Sequence, residues 1–256
     1  MQHAWPALVV LLCSAARGQA PAYSAAAIVN AANYAPGPFA ANSVVTLFGS
    51  NLSYNSVGVA ADTTSGTLPT QLANVSVYVQ NMWAPVLYVS SSQINFLIPT
   101  ELTPGVLQVC VVRQGVNGPA VDITLVPGAP ALFSSADGYA LAVDWNNAYA
   151  VITAQAPAQS GDTVVVYATG LGAAGHNATG QVPSAAVQID NLATLKVYLD
   201  GAAVDPMLIK YVGLTPGWAG LYQINLELPA KLGTDPEIRV AIGDQSSPAG
   251  LKLAVK

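Results

Sequence analysis

Charge is what this sequence has least of. Only 8% of its residues are Asp, Glu, Lys or Arg, against about a quarter in an ordinary globular chain. Eight Lys and Arg set against thirteen Asp and Glu leave no basic stripe, so recognition of nucleic acid through its phosphates is excluded. The same scarcity excludes a coiled coil, and the 52% apolar content excludes intrinsic disorder. Cysteine is nearly missing too. Cys13 lies in the N-terminal apolar stretch, which leaves Cys110 alone beyond it with no partner for an internal disulfide. Cys110 sits in the strand-like run Val106-Leu107-Gln108-Val109-Cys110-Val111-Val112 and reads as a small core residue.

Histidine is equally sparse. His3 belongs to the N-terminal stretch, so any triad would have to use His176, which stands in a Gly-rich loop. No Gly-x-Ser-x-Gly elbow is present, and His/Cys metal sites are excluded by count. Asp200 and Asp205 flank a turn, where Asp is common for conformational reasons, so they do not read as a glycosidase pair. Calcium at loop aspartates such as Asp137 or Asp144 has no D-x-D-x-D-G loop behind it. The chain is therefore expected to be no enzyme, with no cofactor and no metal.

One motif imitates a nucleotide site. Gly170-Leu171-Gly172-Ala173-Ala174-Gly175 is a formal G-x-G-x-x-G after a strand, with Asp190 twenty residues beyond Gly170. The chemistry requires a helix N-terminus to hold the pyrophosphate. The following residues, His176 to Pro183 with Gly180 among them, cannot form one, so these glycines read as turn residues.

What the chain does have is a strand written twice. Gln93-Ile94-Asn95-Phe96-Leu97-Ile98-Pro99 returns as Gln223-Ile224-Asn225-Leu226-Glu227-Leu228-Pro229. Apolar residues at every second position predict a strand with one buried face, and the terminal Pro stops the ladder. Further correspondences follow in the same order along the chain. Asn42 to Leu52 matches Asp162 to Leu171 with a one-residue shift, Val75 to Val79 matches Leu195 to Leu199, and Ala84 to Val89 matches Met207 to Val212. Asp200-Gly201 is a two-residue hairpin signal. Short strands at this density, with 22 Gly and 18 Pro as punctuation, predict an all-β chain of two tandem immunoglobulin-like sandwiches.

The expected organisation has four parts. Residues 1–20 read as a secretory signal, with the apolar core Ala7 to Leu12 too short to span a bilayer. Cleavage is expected after Ala20, with Ala16 as the alternative, although Pro21 sits awkwardly just beyond the first. Leu11-Leu12 before Cys13 lacks the small residue that lipoprotein processing needs. Residues 21–128 form the first sandwich, 129–157 a linker carrying a hairpin, and 158–256 the second sandwich. The linker begins at the breaker Pro127-Gly128-Ala129-Pro130. No transmembrane span is expected, and the protein should be secreted or held at the cell surface or in the periplasm.

The pattern resembles the immunoglobulin-like TIG/IPT domains. More closely, it is similar to the Solibacter-type C-terminal domain family of acidobacterial secreted proteins. The residues that carry the likeness are Asn30-Ala31-Ala32, Leu47-Phe48-Gly49-Ser50-Asn51-Leu52, Leu68-Pro69, Ala84 to Ser90 with Gln93-Ile94-Asn95, Tyr167 to Gly172, and Pro216-Gly217 with Gly220 to Asn225. Members of that family usually end larger proteins, whereas here the module follows the signal directly. The resemblance implies a fold and no activity.

The best binding reading is aromatic. Trp83, Trp145 and Trp218 fall in predicted turns, while Tyr88, Tyr211 and Tyr222 lie near the repeated strand. Trp83, Tyr88, Trp218 and Tyr222 would supply stacking faces, and Gln93, Asn95, Gln223 and Asn225 hydrogen bonds, to a sugar ring or a protein partner. The plainer reading plugs each sandwich with these aromatics and spends the amides on backbone. The expected role is adhesion or scaffolding toward a cell-surface or extracellular protein or polysaccharide, with a carbohydrate-binding module as the alternative and a secreted hydrolase behind both.

Overall fold

The computed structural model describes residues 18–59 and 66–256. The signal expected over residues 1–20 lies outside them except for its last three residues. Four sheets pack as two pairs, each around its own core. In the first pair, one sheet runs in the order Ile28–Asn30, Val44–Phe48, Gln93–Leu97, Val86–Val89, Val57–Gly58. The facing sheet runs Phe39–Ala40, Val121–Val126, Gly105–Arg113, Val75–Val79, Met82–Ala84. Alternation decides which side chains enter the core. Ile94 and Phe96 point inward with Leu47, Val77 and Val109, while Gln93 and Asn95 face out.

The second pair repeats the plan. Ala142–Asp144, Thr163–Thr169, Tyr222–Glu227 and Ile209–Leu214 lie side by side, opposite a sheet centred on Leu195–Leu199 and Ile238–Ile242. Asp200 and Gly201, with φ of 48° and 76°, close the Leu195–Leu199 hairpin onto Ala202–Ala203. The halves agree down to an irregularity. The ladder from Val86–Val89 to Gln93–Leu97 slips between Val86 and Tyr88, and that from Ile209–Leu214 to Tyr222–Glu227 slips between Ile209 and Tyr211. In each case the tyrosine lands opposite the repeated asparagine, Asn95 or Asn225.

Two stretches behave differently from their sequence signals. Within residues 129–157, Ala142–Asp144 pairs with Ala150–Val151 in a hairpin. Ala131–Leu132 and Ala142–Asp144 also hydrogen-bond to Thr163–Thr169, so this stretch supplies strands to the second sandwich. The connector before it is held down as well. Ala129 N donates to Gly170 O at 2.8 Å, Asn191 Nδ2 donates to Pro127 O at 3.3 Å, and Gly128 lies against the Ile242 side chain. The run from Leu251 to Val255 reads as a strand but makes only isolated bridges, with Leu253, Ala254 and Val255 buried.

The sandwiches meet along a seam. Leu68 and Leu97 of the first pack with Ala219 of the second, flanked by Val44, Leu87 and Val182. Around that apolar contact, Val44 N donates to Thr169 Oγ1 at 3.0 Å and Thr169 Oγ1 donates to Gly220 O at 3.1 Å. Leu68 N donates to Gly180 O at 2.8 Å, and Thr100 N donates to Thr179 Oγ1 at 2.7 Å. Thr179 in turn donates from its backbone N–H and its hydroxyl to the Glu101 carboxylate. Partial burial works against ionisation of Glu101, but these bonds outweigh it and hold the carboxyl below its ordinary range. No helix among the described residues is long and apolar enough to cross a membrane.

Candidate functional site

The repeated strand places its two amides alike in each half. Residues two apart on a strand share a face, so Gln93 Nε2 reaches Asn95 Oδ1 at 2.9 Å and Gln223 Nε2 reaches Asn225 Oδ1 at 3.0 Å. Thr46 Oγ1 donates to the same Asn95 oxygen at 3.2 Å. On the neighbouring strands an aromatic stands opposite each Gln and each Asn: Phe48 and Tyr88 in the first half, Tyr167 and Tyr211 in the second. The outer face of both sheets therefore carries an aromatic–amide–amide–aromatic ladder. In the first half Phe48 is exposed, and Tyr34 approaches it with ring centroids 6.2 Å apart. In the second half Asn225 is buried, and the Tyr211 hydroxyl is turned to the carbonyls of Val187 and Leu214. Burial raises the Tyr211 hydroxyl above its ordinary range. The first face is thus the more open of the two.

Trp83 is not in a turn. The two-residue turn Gln80-Asn81 sets Trp83 opposite Tyr78 on the edge strand Met82–Ala84. The rings stack at 3.7 Å between centroids and 33° between planes, and Trp83 is 44% exposed. This pair belongs to the facing sheet, with Val77 and Ala84 beside it buried in the core, so it faces away from Gln93 and Asn95. Tyr78 was legible as its partner, because Val75 to Val79 alternates and puts Tyr78 outward.

Trp218 does lie in a loop, half exposed, with its backbone N–H donating to Thr215 O. Tyr222, expected beside it as a ligand contact, is fully buried and offers no free face. Its hydroxyl donates to Gly172 O and accepts from Asn42 Nδ2 at 3.0 Å. Burial drives its ionisation well above the usual phenol range, only partly offset by the Asn42 bond. The structure therefore does not bring the eight predicted residues together. Gln93, Asn95 and Tyr88 share one face, Gln223 and Asn225 share another, Trp83 and Trp218 stand apart from both ladders, and Tyr222 is sealed in the seam. Trp145 forms a further exposed pair with Tyr149, edge to face at 5.2 Å.

The glycine-rich loop is a packing device. A Cβ at Gly170 would strike the Ala129 carbonyl, and one at Gly172 would meet Pro127 O, so both residues make room for the connector. Asp190, at the spacing of a ribose-binding acid, accepts from Gly175 N at 2.8 Å instead. His176 is exposed in this loop. Asp144 accepts from Asn146 N and Asp137 from Ser135, both within local turns. Among the described residues no three His, Cys, Asp or Glu gather where a metal ion would be held.

No curated protein matches the chain in sequence. Solved structures similar to it include the surface glycan-binding protein PbSGBP-B from Prevotella bryantii, at 12% identity and a TM-score of 0.28, covering 84% of this chain and 37% of that one. The Bacteroides ovatus mixed-linkage glucan utilization locus SGBP-B shows 11% identity and a TM-score of 0.33, covering 84% and 44%. Domains 5–6 of the S-layer protein SbsC show 11% identity and a TM-score of 0.27, covering 92% and 98%. The chain spans less than half the length of the first two. Residues 28–126, which are the first sandwich, match the family model of the IPT/TIG domain, and the chain is an all-β protein carrying that immunoglobulin-like domain.

Proposed function

We propose that the chain is an exported, non-catalytic adhesion or scaffolding module of the cell surface or extracellular space, built from two tandem immunoglobulin-like sandwiches. On this reading it is a member of the Solibacter-type C-terminal domain family. The observation that carries it is the set of exposed aromatic pairs held on the outside of the sandwiches: Tyr34–Phe48, Tyr78–Trp83 and Trp145–Tyr149. Large aromatic surface that the core could have absorbed is left in water, and such surface marks places where another molecule docks. The partner is an extracellular or cell-surface protein.

A second reading, a carbohydrate-binding module, is favoured by one feature. Trp83 lies over Tyr78 on the edge strand, presenting a broad π-face of the kind that stacks on a sugar ring. Retention of residues 18–256 on insoluble polysaccharides and cell-wall material, beside Trp83→Ala and Trp218→Ala, separates the two. Retention lost in W83A with an unchanged melting temperature establishes glycan recognition. Retention on none of these materials, with capture of a defined surface protein, establishes the first reading.

A further inference from the structure

We infer that the leader is removed by hydrolysis of the Ala16–Arg17 bond, not of the Ala20–Pro21 bond, so that the mature chain keeps Gly18, Gln19 and Ala20 as part of its fold. The inference rests on the export reading above. Its basis is Arg113, at the end of strand Gly105–Arg113. This side chain is only 2% exposed, yet among the described residues no carboxylate pairs with it. A buried guanidinium without a counter-ion must be satisfied by dipoles and π-electrons, or its desolvation goes uncompensated.

Three groups engage its two Nη atoms and its planar face, one of them in the expected leader, while Nε is buried without a hydrogen-bond partner. Arg113 Nη1 donates to the backbone carbonyl of Asn51, and Nη2 donates to the backbone carbonyl of Gln19. The guanidinium carbon stands 4.1 Å from the centroid of the Tyr54 ring. The Gln19 side chain is also engaged, because its Oε1 accepts from Asn51 Nδ2 at 3.2 Å. Gly18 lies against the Tyr54 phenol, where a Cβ would collide with the hydroxyl. Gly18 and Gln19, though exposed on their outer side, therefore cover a buried charge.

The next residues continue that packing. Ala22 and Ser50 exchange backbone hydrogen bonds at 3.0 and 2.9 Å. The Tyr23 hydroxyl accepts from Val111 N at 2.8 Å and donates to Pro119 O at 2.6 Å. Gly49 and Gly118 leave the space this segment fills, since a Cβ on either would strike Ala22 O or the Tyr23 ring. Cutting after Ala20 would keep this part but delete the Gln19 carbonyl, opening Arg113 to water on one side. It would also require attack at an X–Pro tertiary amide. Cutting after Ala16 avoids both, and Ser14-Ala15-Ala16 supplies the small residues that leader processing reads. Water adds across the scissile amide there, leaving a carboxylate on Ala16 and an α-ammonium on Arg17, with the host's leader peptidase as catalyst.

The test is expression of the full chain with its own N-terminus in an exporting bacterial host, followed by intact mass and N-terminal sequencing. A mature chain beginning at Arg17 is the expected result. A chain beginning at Pro21 overturns the inference while leaving export standing, and a chain retained in the cytoplasm from Met1 overturns the export reading and the inference with it. In a second arm, chains starting at Arg17 and at Pro21 are produced directly and melted side by side. The shorter one should unfold several degrees lower, and Arg113→Met should shrink that gap. Identical melting of the two chains would remove the structural reason for the site.

Discussion

Asn42 and Tyr222, 180 residues apart, share a hydrogen bond at the seam, with Asn42 Nδ2 donating to the buried Tyr222 hydroxyl at 3.0 Å. The same hydroxyl donates to Gly172 O, so one phenol ties the turn leading into the first sandwich's strand Val44–Phe48 to the glycine loop of the second. Removing it strands an amide and a carbonyl away from water. Tyr222→Phe should cost about 1–3 kcal/mol of unfolding free energy. A double-mutant cycle with Asn42→Ala should show strong coupling, and additive effects in urea denaturation would deny the bond its role.

Gly220 and Gly217 separate space from backbone strain. Both have positive φ, 74° and 84°, yet a Cβ on Gly220 would run into the Leu97 and Val44 side chains while one on Gly217 would meet nothing. Gly217→Ala should cost about 1 kcal/mol for its left-handed backbone alone. Gly220→Ala should cost about 2–4 kcal/mol, because it also wedges the seam. Denaturation midpoints of the two variants check this, and equal losses would mean that the seam is loose.

Tyr23 makes stability fall at high pH. Burial, opposed by the Val111 hydrogen bond, pushes its hydroxyl up from 10.0 to about 12. The native chain therefore holds a proton that the unfolded chain releases. This contribution is complete below about pH 10 and is lost as pH rises toward about 12. Tyr222, raised further, acts in the same direction. Urea midpoints of the parent chain should drop between about pH 10 and about pH 12, and Tyr23→Phe should flatten part of that drop.

Glu101 acts at the opposite end of the scale. Its carboxyl is held below the ordinary range by Thr179 across the seam, so its contribution is present above the unfolded value and is lost as pH falls through the folded one. The group is mostly exposed, and solvent screening limits the effect to about 0.5 kcal/mol. Glu101→Ala should therefore be slightly less stable than the parent at neutral pH, with the gap closing as pH falls through the lowered folded value. A gap that persists in acid would assign the loss to packing.

How much of this could be read from the sequence depends on whether the cause is local. Period two placed Ile94, Phe96, Ile224 and Leu226 in the cores, and Asp200-Gly201 announced its hairpin, because both signals act between near neighbours. The Gln–Asn faces followed from the same alternation. Tyr222 misled, since a strand tyrosine beside a loop tryptophan looks half exposed, and its partner Asn42 is invisible without the seam. Trp83 misled for a simpler reason: Asn81 and the bulky residues after it looked like a turn, whereas counting outward from Gln80-Asn81 gives the Tyr78 pairing. Pro127 and Pro130 overstated a break, because a kinked connector can still be hydrogen-bonded, as Ala129 is to Gly170.

That stitched connector has a mechanical consequence. A chain pulled from its two ends ordinarily yields first where a loose tether uncoils. Here residues 127–130 are anchored by Ala129 to Gly170 and by Asn191 to Pro127, with no slack to release. Load applied to one sandwich passes into the other as shear across the seam, and the bonds at Thr169, Thr179 and Gly180 resist together. The pair then behaves as a stiff strut, and the spacing between Trp83 on the first sandwich and Trp145 on the second is a gauge fixed by the protein, to which any partner spanning both must conform.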